Sequence, residues 1–93
     1  GITQVLTPGT LTDSHLLDDK SASYLFSFFP AADSWGLVFA ELLTGQLFAT
    51  MIDPTSEKIV ESELSRFFPD EILLPETKQA KQISSLFKKL GYF

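Results

Sequence analysis

Trp35-Gly36-Leu37-Val38-Phe39-Ala40-Glu41-Leu42-Leu43-Thr44-Gly45-Gln46-Leu47-Phe48-Ala49-Thr50-Met51-Ile52 is the stretch whose reading decides the fold. In its first half Trp35, Leu37 and Phe39 fall on one face of an extended chain and Val38, Ala40 and Leu42 on the other. Trp35 to Leu43 therefore predicts a strand with two apolar faces, which belongs inside a sheet rather than at its edge. Thr44-Gly45 supplies a tight reversal, after which Leu47, Ala49 and Met51 alternate with Phe48, Thr50 and Ile52 in the next strand. Upstream, Tyr24 to Phe29 is a run of Tyr, Leu, Phe, Ser, Phe and Phe closed by Pro30, a β-favouring segment ended by a residue that cannot donate to a ladder. The three segments together predict an antiparallel meander.

Beyond Ile52 the period changes. Asp53-Pro54 offers a favoured N-cap followed by the residue preferred at the first helical position. Val60, Leu64, Phe67 and Phe68 then recur at i, i+4, i+7 and i+8, an amphipathic helix stopped by Pro69. Glu71-Ile72-Leu73-Leu74-Pro75 is too short for a helix between two prolines and reads as a short buried strand. Thr77 can cap a final helix with the stripe Ala80, Ile83, Leu86 or Phe87, and Leu90, ended by Gly91 at its C′ position. The order is thus β-β-β-α-β-α, an α/β chain with a mixed sheet, and the crossover helix implies a right-handed return to a parallel strand. That is the opening topology of an RNase H-like fold. The first thirteen residues read as an extended lead-in bent at Thr7-Pro8-Gly9-Thr10 by type II turn chemistry, with Thr12 or Asp13 capping one helical turn through His15, Leu16 and Leu17. Residues 1–22 are expected to lead in from a preceding domain and residues 23–93 to form the domain itself. Tyr92-Phe93 looks like the start of a further strand, so the domain reads as truncated on its C-terminal side.

With 93 residues there is room for one core, and 44% apolar with 13% aromatic residues is enough to build it without a metal or disulfide. The absence of Cys excludes disulfide frameworks, thiolate zinc sites and Cys nucleophiles together, and agrees with a reducing, cytoplasmic setting. Glu41, Thr44, Gly45, Gln46 and Thr50 interrupt the longest apolar stretch, which falls short of the roughly 20 residues a membrane span needs. All twelve Asp and Glu lie in residues 1–76 against Lys20, Lys58 and Arg66, a net −9, whereas residues 77–93 carry four Lys and no acid. Such a surface repels polyphosphate over most of its extent, so nucleic-acid binding is not its main role.

Catalytic readings find little support. A metal-dependent nuclease of the RNase H-like kind needs converging acids anchored by an Asp in the middle of the first meander strand, and Tyr24 to Phe29 contains no acid. Glu41, Glu61 and Glu63 read as solvated or capping groups. Ser14, His15 and Asp18 would have to converge within about one helical turn to form a nucleophile system, which local spacing does not arrange. The five Gly residues are dispersed and form no phosphate loop. Tyr24, Phe26, Phe28, Trp35, Phe39 and Phe48 lack interleaved Arg or Lys and read as core rather than as base-stacking platforms. What remains is a scaffold with two-faced strands and too few helices to cover both faces, which suggests surface meant for neighbouring domains. Mixed charge on the helices, at Glu57, Glu61, Lys78, Lys81 and Lys88, is the candidate partner-contact surface.

Val5-Leu6-Thr7-Pro8-Gly9-Thr10-Leu11-Thr12-Asp13, followed by Leu16-Leu17, resembles the start of the connector domain (domain II) of the bacterial DNA mismatch-repair protein MutS. Gly36-Leu37 and Glu41-Leu42-Leu43-Thr44-Gly45-Gln46-Leu47-Phe48 are similar to that family's Gly-Leu/Tyr-Ala strand and Asp-Ile-Ser-Thr-Gly-x-Phe hairpin, with Glu41 in place of Asp and Leu43 in place of Ser. Glu63-Leu64 and Phe68-Pro69-Asp70-Glu71-Ile72-Leu73-Leu74-Pro75-Glu76 resemble its helix and Pro-x-Glu-Leu/Ile-Leu strand. The resemblance implies an RNase H-like fold without nuclease function that links the mismatch-recognition domain to the lever and ATPase core and offers a surface to the partner MutL. It implies ATP and Mg in other domains, DNA contact only through the parent protein, and a homodimeric parent. An RNase H-like enzyme domain with a degenerate site and a generic protein-protein adaptor are the alternatives.

The charge distribution makes a prediction of its own. In a fluorescence-anisotropy titration the 93-residue chain should bind duplex DNA only weakly, without preference for a mismatch, and lose that attraction as salt rises. Submicromolar, mismatch-selective binding would contradict it.

Overall fold

The element order in the computed structural model, which describes residues 3–8 and 23–93, is β1 (Thr3–Leu6), β2 (Tyr24–Pro30), β3 (Trp35–Glu41), β4 (Leu47–Ile52), α1 (Glu57–Phe67), β5 (Glu71–Pro75) and α2 (Lys78–Lys89). The strands form one mixed sheet in the order β1-β5-β2-β3-β4. The expected meander is present: β2 runs antiparallel to β3 with Phe26 opposite Phe39, and β3 antiparallel to β4 with Phe39 opposite Phe48. The expected crossover is present too, since α1 returns the chain to place β5 parallel to β2, with Ile72 beside Phe26. One strand departs from the expected order. Thr3–Leu6 is not merely a lead-in but pairs antiparallel with β5, Leu6 opposite Ile72, so the described order is β-β-β-β-α-β-α. Its own four residues bury only Leu6 and carry almost no periodic signal; the partner that makes it a strand is the edge of β5. The part of the Thr7-Pro8-Gly9-Thr10 turn beyond Pro8, and the helical turn expected through His15, Leu16 and Leu17, lie outside the described residues.

Register sorts every side chain onto one of two faces, because residues directly opposite in a ladder share a face and neighbours along a strand do not. Phe26 and Phe28 of β2, Leu37 and Phe39 of β3, and Ile72 and Leu74 of β5 point to one face, where they are buried. Both helices pack there: Val60 and Leu64 of α1 and Ala80, Ile83, Leu86 and Phe87 of α2 complete the core. Phe26 stacks on Phe39 at 4.4 Å between ring centroids, Phe39 on Phe67 at 4.3 Å, and Phe87 meets Phe28 edge-on at 5.8 Å. Such aromatic pairs add about 0.5–1.5 kcal/mol each beyond the area they bury.

The helix ends follow local chemistry, with one correction. Asp53-Pro54 does not open α1. Thr55 takes φ 74°, outside helical space, and the Ser56 N–H closes a turn onto the Asp53 carbonyl at 3.3 Å, so the helix begins only at Glu57 behind Ser56. For α2 the expectation holds: the Thr77 hydroxyl accepts the Ala80 N–H at 3.2 Å, and Gly91 adopts φ 94° just past the end. Tyr92, buried, donates its hydroxyl to the Pro69 carbonyl at 2.6 Å. Phe93 and Thr7 exchange backbone hydrogen bonds at 2.9 and 3.0 Å, so this aromatic pair brings the chain back beside the end of β1.

Leu64, almost wholly buried between α1 and the sheet, should cost about 2–5 kcal/mol when cut to Ala. Ile59 on the outer side of the same helix is 46% exposed, and its truncation should cost no more than about 0.5 kcal/mol. Urea denaturation of the two variants, read as midpoint shifts at constant slope, checks the orientation of α1.

Candidate functional site

The acids considered from sequence do not converge. Glu41, only 4% exposed, ends β3 and turns its carboxylate into the hairpin it precedes. The carboxylate accepts the Ser23 N–H at 3.0 Å, the Leu43 N–H at 3.1 and 3.0 Å, and the Thr44 N–H and hydroxyl at 3.1 and 3.3 Å. The Ser23 N–H first, then those of Leu43 and Thr44 with the Thr44 hydroxyl, hold this carboxyl below its usual value of 4.5, against the opposing effect of burial. It is a capping group, as the sequence suggested, but a buried one. Glu61 of α1 pairs with Lys89 of α2 at 3.2 Å, and Glu63 with Arg66 at 3.8 Å within α1. Among the described residues no three His, Cys, Asp or Glu side chains could hold a metal ion, and no helix is long and apolar enough to cross a membrane. Ser14, His15 and Asp18 lie outside the described residues.

Where the RNase H-like scheme would need its anchoring Asp, the middle of β2 holds Phe26, fully buried and stacked on Phe39. Five of the six aromatics expected in the core pack there, Tyr24 edge-on against Phe67 at 4.9 Å and Phe28 against Trp35 at 5.3 Å among them, but Phe48, on the outer strand β4, is 42% exposed.

The five charged residues picked out as partner surface separate into two groups. Glu57 and Glu61, four apart on α1, face the seam with α2: Glu61 through its ion pair with Lys89, and Glu57 by lining a groove of about 330 Å³ with Trp35, Gln79 and Gln82. Lys78, Lys81 and Lys88 are exposed on α2, opposite its buried stripe. A seam holding Glu57 and the Glu61–Lys89 ion pair and a basic ridge therefore run side by side on the helical layer.

The second face of the sheet is different in kind. No helix among the described residues covers it. Val5, Leu25, Ser27, Phe29, Gly36, Val38, Ala40, Leu47, Ala49, Met51 and Leu73 point that way by register, with Glu71, beside Leu25 at the start of β5, the one charge among the described strand residues there. Leu47 is 69%, Met51 67% and Phe29 55% exposed. Gly36 leaves a hollow in the middle, and with Phe29, Val38, Ala49 and Met51 it lines a groove of about 540 Å³. An exposed apolar surface of this kind marks an interaction site. The two apolar faces of Trp35 to Leu43 were visible in the sequence; that Gly36 opens a groove needs the register with β4.

The family model described as MutS domain II matches residues 23–92. The DNA mismatch repair protein MutS of Alkaliphilus metalliredigens is 38% identical over 91 residues, which covers 95% of this chain and 10% of that protein. That of Dehalococcoides mccartyi is 36% identical over 96 residues, 99% of this chain and 11% of its own length. That of Thermus caldophilus is 39% identical over 89 residues, 95% of this chain and 10% of its own length. The chain thus spans about a tenth of the length of the curated relatives it matches. No solved structure matches it significantly.

Replacing Glu41 by Gln exchanges one oxygen for an NH₂ that cannot accept the converging N–H groups, so it should lower stability near neutral pH. Because the folded-state value lies below 4.5, this carboxyl's contribution is present above that value and lost as pH falls through the folded one. Thermal melts between about pH 7 and 3 should show the parent chain losing more stability across the acid range than Glu41→Gln; parallel curves would show that Glu41 does not supply this dependence.

Proposed function

The chain belongs to the MutS domain II family, and on that premise we propose that it is a non-catalytic connector domain of a DNA mismatch-repair protein, joining the mismatch-recognition domain to the lever and ATPase core and offering a surface to MutL. The observation that carries this reading is the asymmetry of the sheet. Among the described residues one face is closed by two helices and the other is a largely apolar, exposed surface with Glu71 at its rim, suited to burial against neighbouring domains of one polypeptide. The charged outer layer, with Glu57 and Glu61 at the helix seam and Lys78, Lys81 and Lys88 on the ridge, is left for a diffusing partner, where mixed charge steers encounter without much effect on folding.

An RNase H-like fold is part of the proposal, supported by the meander, the crossover through α1 and the parallel return of β5 beside β2. Loss of nuclease chemistry is supported by Phe26, whose ring fills the position an anchoring acid would need. In this reading ATP and Mg are bound by other domains, DNA is met only through the whole protein, and that protein is a cytoplasmic homodimer.

Charge reversals test the docking surface in the full-length mismatch-repair protein. Glu57→Lys, Glu61→Lys, Lys78→Glu, Lys81→Glu and Lys88→Glu should each slow MutL association several-fold at low salt, with mismatch binding and ATP turnover near normal. Surface-plasmon resonance against MutL reads the rates. If the whole series leaves recruitment intact while substitutions elsewhere abolish it, the docking role belongs elsewhere and only the linking role stands.

A further inference from the structure

We propose that β4 is a pairing edge for a second copy of this chain, joined antiparallel about Thr50 so that the two sheets run on as one. Among the described residues β4 lies at the end of the sheet and pairs with β3 alone. Its six residues, Leu-Phe-Ala-Thr-Met-Ile, contain no charge, proline or glycine, and five of them are exposed. Natural sheets usually guard such an edge with a lysine, a proline, a bulge or a covering loop, because its outward N–H and C=O groups template another strand. The β3–β4 ladder continues the bond from the Glu41 N–H to the Gln46 carbonyl at 2.8 Å. By alternation Phe48, Thr50 and Ile52 bond inward to β3, while Leu47, Ala49 and Met51 turn their backbone groups outward.

The strand is its own complement. With Thr50 on the two-fold axis, Ala49 faces Met51 of the second copy and Phe48 faces Ile52, so large side chains lie beside small or flat ones and no charge meets a like charge. Opposite parity is preserved, so the two bare faces stay on one side. Ala49 is also a wall of the groove lined by Phe29, Gly36 and Val38. Met51 of the second copy, leaning over Ala49, meets that apolar groove, which is hollow because Gly36 carries no side chain; a Cβ there would already lie 3.4 Å from the chain's own Met51 sulfur. A net charge of −5 opposes self-association in general, which makes an uncharged strand the place where two copies approach at least cost, and salt should favour the pair.

The chain has no cysteine, so a single one reports the register. Residues facing each other in a non-hydrogen-bonded antiparallel pair have Cα atoms about 4.5 Å apart, within disulfide reach. Sedimentation of the 93-residue chain should show its mass double as concentration rises. Thr50→Cys should cross-link into dimers on mild oxidation, and Val5→Cys at the opposite edge should not. Ala49→Pro removes only an outward N–H and should restore the monomer; Met51→Lys, which charges an exposed position, does the same if the proline variant fails to fold. A chain that stays monomeric, a dimer that persists in Met51→Lys, or Thr50→Cys that does not cross-link would overturn the proposal. None of these readings involves MutL, so failure here is separate from failure of the connector reading.

Discussion

Phe26 is the point on which the structure turns. It is wholly buried in the middle of β2, stacked on Phe39 of β3, set beside Ile72 of β5 in parallel register, and touched edge-on by Phe87 of α2 at 6.4 Å. Three separate elements therefore reach their places by packing on one ring, and the crossover through α1 closes only because Ile72 lands there. Such a ring cannot be traded for a carboxylate without burying an unpaired charge, a cost of several kcal/mol. The residue that closes the core thus occupies the middle of β2, so the packing of that strand leaves no room there for an acid.

From that core the molecule is built unequally. Among the described residues the helical cover lies on the Phe26 side, with Glu57 and the Glu61–Lys89 ion pair at the α1–α2 seam and Lys78, Lys81 and Lys88 on the α2 ridge. The other side of the sheet has no helical cover among the described residues and a single charge by register, Glu71 at the start of β5. Partners that must stay bound gain most from the apolar side, where burial is non-directional and roughly proportional to area. Partners that must come and go are better served by the charged side, whose contacts act mainly on the rate of encounter. The connector role proposed above would call on both, and in this fold the two kinds of surface are kept on opposite layers.

Much of this could be read from the chain because period and punctuation agree in it. The switch from alternation in Leu47 to Ile52 to a four-residue spacing in Val60 and Leu64 located the crossover, and the prolines at 69 and 75 confined Ile72-Leu73-Leu74 to a strand. Two things were not legible. β1 is a strand because of the edge it meets, so its own residues could not announce it. The start of α1 slipped by three residues because Asp53-Pro54 fits a helix start and a turn equally well, and Thr55 at positive φ selects the turn. Among site residues, Glu41 was visible as a strand-end acid beside a tight reversal, but its burial depends on Ser23, eighteen residues upstream, bringing an N–H to it. The charged positions were legible singly; their division into seam and ridge depends on how α2 lies against α1.

The end of the sheet at Glu41 bears on how a connector can transmit motion at all. There Ser23 gives its N–H to Glu41 and its hydroxyl to Asp70 at 2.6 Å, while the Asp70 N–H bonds the Tyr24 carbonyl at 2.9 Å. The start of β2, the β3–β4 hairpin and the start of β5 are thereby tied to one another by short polar contacts, two of them to carboxylates, which are the stronger kind. At the same end Tyr92 bonds Pro69 between α1 and β5, and Phe93 pairs with Thr7 just past β1, so the segment after α2 is fastened to both. A domain placed between two others passes on a displacement only if its own strands do not slide, and strand ends joined only by ladder bonds fray first. With these ends cross-tied, a push on β1 or on the chain beyond α2 moves the sheet as a body. In the proposed connector role the compliance would then lie at the bare face and the helix surfaces and not within the domain.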